Sequence, residues 1–126
     1  MNSISSTPSP EAIVQAQLDA YNAKDLEALL AIYADDAEQF EHPATLLARG
    51  TAALRERFAA RFTDPLVHAT LVNRIVAGDL VIDHERIRRS FPEGPGSMEL
   101  VALYAVQGGR IARAWFVFGA ITLDAA

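Results

Sequence analysis

The sequence predicts an α+β domain in which helices pack on one face of a curved antiparallel sheet. Three observations carry this. Two short segments with apolar residues at helical spacing open the chain, a third follows a brief alternating run, and the remainder is strand-like to the end. The order α-α-β-α-β-β-β-β separates helices from strands, as α+β architectures do. With 126 residues, the chain suits one domain with one modest core.

The first helix opens at Ser9, a capping residue, with Pro10 at the first helical position and Glu11 in the first turn, where the helix dipole favours it. Val14, Leu18 and Tyr21 recur at i, i+4 and i+7, with Ile13 beside them. Asn22-Ala23-Lys24 reads as a turn. Asp25 caps a second helix whose stripe is Leu26, Leu29, Leu30 and Tyr33, ended by Asp35-Asp36. Residues 37–42 alternate, with Glu38, Phe40 and His42 on one side and Gln39 and Glu41 on the other. Pro43 stops this strand, because proline offers no ladder donor. Residues 44–50 read as a loop. Thr51 caps a third helix that turns Leu54, Phe58 and Phe62 inward and ends at Asp64-Pro65.

The second half is extended. Residues 66–76 are rich in β-branched side chains, Gly78-Asp79 marks a turn, and 80–91 form a long strand. Residues 92–96, Pro-Glu-Gly-Pro-Gly, are a loop signal. Strands over 98–106 and 111–118 flank Gly108-Gly109, a hairpin signature. No repeat, linker or second domain is evident. Residues 1–8, rich in Ser, Thr and Pro, read as a disordered tail, and 9–126 as the domain.

Composition narrows the function classes. There is no Cys, which excludes disulfides, thiolate metal sites and a Cys nucleophile. The net charge is −5 and no continuous basic stripe exists, so no nucleic-acid partner is expected. No apolar run approaches the roughly 20 residues of a membrane span, and the N-terminus does not read as a signal peptide. A cytoplasmic location and no membrane partner are the corresponding expectations.

Several segments together resemble a known superfamily: Tyr21-Asn22-Ala23-Lys24-Asp25-Leu26, Tyr33-Ala34-Asp35-Asp36-Ala37, Gly50-Thr51-Ala52-Ala53-Leu54-Arg55 and Gly109-Arg110-Ile111. The chain resembles the nuclear transport factor two-like superfamily, in its SnoaL-like and ketosteroid isomerase-like branch. The resemblance implies a cone-shaped curved antiparallel sheet wrapped on three N-terminal helices, a cystatin-like α+β barrel with one pocket. The continuous apolar run Trp115-Phe116-Val117-Phe118 reads as core on one face and subunit contact on the other, so a homodimer through the outer sheet face is expected, and no cofactor is expected. The superfamily spans isomerases, dehydratases, hydrolases, cyclases and non-catalytic binders, so it points to no single reaction.

The ketosteroid isomerase site maps incompletely onto this chain. Its base position falls at His42, with Glu41 the alternative, its tyrosine at Gln17, and its acid near Val101 or Ala102. Two of three parts are missing, and steroid isomerisation by that route is not expected. His42 is then the leading catalytic candidate, since an imidazole titrating near neutrality suits a general base. Tyr33, Phe40, Phe58 and Gln17 are the expected substrate-binding residues.

The strand over 80–91 is polar on both faces midway: Ile82, His84, Arg86 and Arg88 on one, Val81, Asp83, Glu85 and Ile87 on the other. Buried charges need partners, so one face looks into solvent or into a polar pocket. Matching the superfamily through Gly78-Asp79 turns His84 and Arg86 towards the cavity as stabilisers of a developing oxyanion. The opposite register would turn Asp83 and Glu85 there. His42, His68 and His84 lack metal-ligand spacing, and no metal is expected. These residues predict a cofactor-independent isomerase, lyase or hydrolase moving a proton on a small, largely apolar carbonyl compound. The alternative is a non-catalytic ligand-binding or dimerisation module of the same fold.

Overall fold

A computed structural model describes residues 7–125. Three helices and six strands follow in the order α1 (Pro10–Ala23), α2 (Leu26–Ile32), β1 (Tyr33–Glu41), β2 (Thr45–Arg49), α3 (Gly50–Phe62), β3 (His68–Ala77), β4 (Leu80–Phe91), β5 (Gly94–Gln107) and β6 (Arg110–Leu123). The expected tail falls outside the described residues except for Thr7 and Pro8.

The helix starts follow from the capping residues. Ser9 Oγ accepts from the Ala12 amide, and Asp25 Oδ1 accepts from the Ala28 amide, each at 3.1 Å. Lys24 closes α1 in the left-handed region at φ 55, its amide donating to Ala20 and Tyr21 carbonyls. The Tyr21-Asn22-Ala23-Lys24 segment also ties the helices to the sheet. Asn22 exchanges two 2.8 Å hydrogen bonds with the Ala69 backbone, and Lys24 Nζ donates to the Asp64 carbonyl.

The strands form one curved, unclosed sheet in the order β2-β1-β6-β5-β4-β3, leaving β2 and β3 as edges. All neighbours are antiparallel except β1 and β6, which run parallel. The sheet is therefore mixed rather than wholly antiparallel. That pairing joins the first strand to the last across nearly the whole chain, a separation long enough for a parallel crossover. Element assignments also differ from the sequence reading: Arg49, not Thr51, is the cap position of α3, and residues 94–96, read as a loop, begin β5. Tyr33 ends α2 with extended backbone and begins β1, and residues 45–49, read as a loop, pair with β1 as β2.

Val14, Leu29, Leu54, Val81 and Ile111 are completely enclosed between the helices and the concave sheet face. Asp83, equally enclosed, takes a bidentate ion pair from Arg74 at 2.7 and 3.0 Å, and Arg74 also donates to Gln15 Oε1 at 2.9 Å. Three groups thus satisfy one another at the end of the core nearest the β3–β4 turn, which is how a charge this deep is tolerated.

Candidate functional site

One cavity of about 90 Å³ opens between α1, α3 and the concave face. Leu18 and Phe58 from the helices and Leu100, Tyr104 and Phe116 from the sheet make its apolar wall. Gln17, Tyr21, Tyr33, Gln39, Arg57, Arg61, Glu85 and Arg89 supply its polar groups.

Glu85 reaches this wall because β4 alternates. Val81, Asp83, Glu85, Ile87 and Phe91 are buried, whereas Arg86 is exposed and His84 and Arg88 are partly so. Glu85 is 3% exposed, and among the described residues its Oε2 has no hydrogen-bond partner. Burial pushes its pKa up to about 8, reinforced by Asp83 two residues away and opposed by Arg74. The carboxyl is therefore mainly protonated at neutral pH.

Beside it runs a hydrogen-bonded chain. Arg57 Nε donates to Gln39 Oε1 at 3.1 Å, and Gln39 Nε2 donates to the Tyr33 hydroxyl at 3.5 Å. With its oxygen accepting from Gln39, Tyr33 keeps its proton for a further acceptor. Burial raises the pKa of Tyr33 and of Tyr104, and the nearby Glu85 carboxyl adds to both. Tyr21 is pushed up to about 12 by burial, an effect Arg61 reduces and Glu85 augments. All three phenols are neutral donors at working pH.

The structure brings together Gln17, Tyr33 and Phe58 of the sequence-assigned residues. It does not bring His42, His84, Arg86 or Phe40 to this cavity. His42 is exposed at the strand end, its amide donating to the Phe116 carbonyl at 2.8 Å, and its bond to Pro43 is cis. Phe40 shares the His42 side of β1, but that side faces outward. Phe40 stacks on its β6 neighbour Trp115 at 6.0 Å, leaving Gln39 to face in. Outward aromatic pairing, rather than core burial, explains the apolar residue on that side.

His84 and Arg86 lie on the outer face, where both engage Glu99 of β5. The His84 Nε2 lies 2.6 Å from Glu99 Oε1, and Arg86 Nε donates to Oε2 at 3.1 Å. The preferred register for this strand is thus corrected to the opposite one. The signal that decides it was present: Val81, Ile87 and Phe91 share odd parity with Asp83, Glu85 and Arg89, and three large apolar anchors outweigh the charges between them. Arg57 and Arg61 were hidden differently. They sit on α3 next to inward Phe58 and Phe62 and read as ordinary solvated helix charges.

Among the described residues no group of three or more His, Asp or Glu could hold a metal ion, and no helix is long and apolar enough to cross a membrane.

A family profile described as a SnoaL-like domain matches residues 14–114. The chain belongs to the SnoaL-like family. Solved structures agree with this placement within the nuclear transport factor two-like superfamily. An uncharacterized cystatin-fold protein from Novosphingobium aromaticivorans is 23% identical, with a TM-score of 0.80 over 87% of this chain and 98% of that one. A protein of ketosteroid isomerase-like fold from Catenulispora acidiphila, solved with trimethylamine, is 21% identical, with a TM-score of 0.75 over 89% and 88%. A candidate polyketide cyclase from Sinorhizobium meliloti is 25% identical, with a TM-score of 0.69 over 83% and 93%. No curated protein matches the chain.

Proposed function

We propose that this SnoaL-like protein is a cofactor-independent enzyme that moves a proton on a small, largely apolar carbonyl compound, as an isomerase or a cyclase. The observation that carries the reading is the unpartnered Glu85 carboxyl in the wall of an apolar cavity that also holds the Tyr33 hydroxyl. The ionised Glu85 takes a proton from the carbon next to the carbonyl, and the C–H electron pair passes through the enolate to oxygen. Tyr33, oriented by Gln39 and Arg57, donates a hydrogen bond to that oxygen. Return of the proton at a conjugated carbon gives isomerisation. Attack of the enolate carbon on a second carbonyl gives ring closure, with Glu85-H protonating the new alkoxide. The likeness to a candidate polyketide cyclase supports the second outcome.

A carboxyl titrating near neutrality suits this work, because a base is most effective when its pKa lies near the operating pH. A binding module would need no such group, and desolvating a carboxyl without a partner is costly. The test is proton exchange in D2O. Wild-type protein should accelerate deuterium incorporation next to the carbonyl of cyclic enones and aryl ketones, with a rate that rises with pH to a plateau above about 8. Glu85→Gln should abolish it, and Tyr33→Phe should slow it. Exchange unaffected by Glu85→Gln would remove the proposal.

A further inference from the structure

The chain contains ten arginines, and their pairing divides them sharply. Arg49, Arg55, Arg74, Arg86, Arg88, Arg110 and Arg113 each make an ion pair with Asp or Glu. Arg57, Arg61 and Arg89 make none among the described residues, and all three line the cavity. From this juxtaposition we infer that the cavity mouth is an oxyanion site, and that the ligand carries a carboxylate on an otherwise apolar skeleton.

The three guanidinium groups are close enough to disfavour one another's charge. Arg57 is lowered by burial and by Arg61 and Arg89, and Arg89 by burial and by Arg61. Like charges gathered without a counter-ion at a partly buried site cost stability, so an arriving anion relieves an existing repulsion. The fork of donors is also unspent. Arg89 Nε is buried and has no hydrogen-bond partner among the described residues, its guanidinium held 4.8 Å above the Phe91 ring. Arg57 directs only its Nε, to the neutral Gln39 amide.

The nearby carboxyls do not fill the role. The charges that act on Glu85 come from Asp83 and Arg74, not from these three arginines. Asp64 acts on Arg89 at longer range, but its oxygens accept from the Leu66 and Ser90 amides and from Ser90 Oγ. A planar carboxylate matches guanidinium bidentately, while Leu18, Phe58 and Phe116 receive the apolar remainder.

This inference rests on the cavity being the ligand site, as the proposed function does, yet the two fail separately. The experiment is calorimetric titration with acetate, benzoate and 2-naphthoate, each against its neutral amide, and with inorganic phosphate. At least one acid should bind at least about tenfold tighter than its amide and lose that advantage in high salt. Phosphate should compete only weakly, because it leaves the apolar wall empty. Arg61→Gln and Arg89→Gln should each cut acid binding about tenfold, with thermal stability equal to or above wild type because repulsion is relieved. Glu85→Gln should keep acid binding while losing proton exchange. Equal binding of acids and amides, no binding of any acid at millimolar concentration, or undiminished binding in both arginine variants would overturn the inference. Phosphate binding tighter than every organic acid would overturn the carboxylate assignment. Acid binding without proton exchange would instead overturn the proposed function alone.

Discussion

Replacing Glu85 by Gln should stabilise the protein, and more so as the pH rises. The side chains are nearly the same size, so the change isolates the proton. Burial moves the carboxyl from 4.5 to about 8. Between those two values the unfolded chain has released the proton while the native state retains it, so native stability falls as pH rises and levels off above the higher one. Each tenfold change in proton affinity is worth about 1.4 kcal/mol, which sets a ceiling of ~4–5 kcal/mol. Side-chain relaxation and water entry reduce such penalties, so ~2–4 kcal/mol is the expected gain of the variant over wild type on going from pH 5 to pH 9. The groups acting on Glu85 are Asp83 and Arg74, with the Tyr21, Tyr33 and Tyr104 phenols nearby, and all remain in both proteins. Carboxylates held low by their partners, such as Glu38 and Asp124, lose stability only in acid and do so equally in both. Urea unfolding across this pH range, with equal m values, measures the gap. A gap that stays constant with pH, or that closes as pH rises, would show that burial does not hold the Glu85 proton in the native state.

Four further outcomes follow from the same geometry. Arg74→Met leaves Asp83 buried without its bidentate partner and should cost ~3–5 kcal/mol in urea unfolding. Gly96→Ala places a Cβ 2.5 Å from the Thr122 carbonyl oxygen and 2.9 Å from Leu123 Cα, so the β5–β6 ladder must shift and the melting temperature should drop by several degrees, in line with ~1–3 kcal/mol. His42→Ala removes an exposed side chain that does not line the cavity, and proton exchange should match wild type within about twofold. Val117 is 41% exposed on the sheet face that also carries the outward Phe40–Trp115 stack, and we propose that a second copy covers this apolar surface; sedimentation at micromolar concentration should give twice the chain mass, whereas a monomer would discard this expectation.

Most of the fold was legible from local signals. Ser9, Asp25, Gly78-Asp79 and Gly108-Gly109 mark boundaries by chemistry that acts within a few residues, and the structure places helix starts and turns there. The site was legible only in part. Gln17, Tyr33 and Phe58 line the cavity because their helices and strand end present one clear apolar side. Strand parity was harder, because β1 and β4 carry polar and apolar residues on both faces. Neighbouring strands then hold the outward set in place: Trp115 stacks on Phe40, and Glu99 pairs with His84 and Arg86. The arginine cluster joins α3 to the far end of β4, and no local pattern reports a meeting between residues so distant in sequence.

The proposed chemistry needs an ionisable carboxyl at the cavity wall. A carbon-detected NMR titration of the Glu85 side-chain carboxyl, assigned by comparison with Glu85→Gln, reads that property directly. The midpoint should lie at about 8, because burial disfavours the ionised form and Asp83 adds to the effect. A midpoint near the 4.5 of an ordinary glutamate would contradict the reading of Glu85 as a base working near neutral pH.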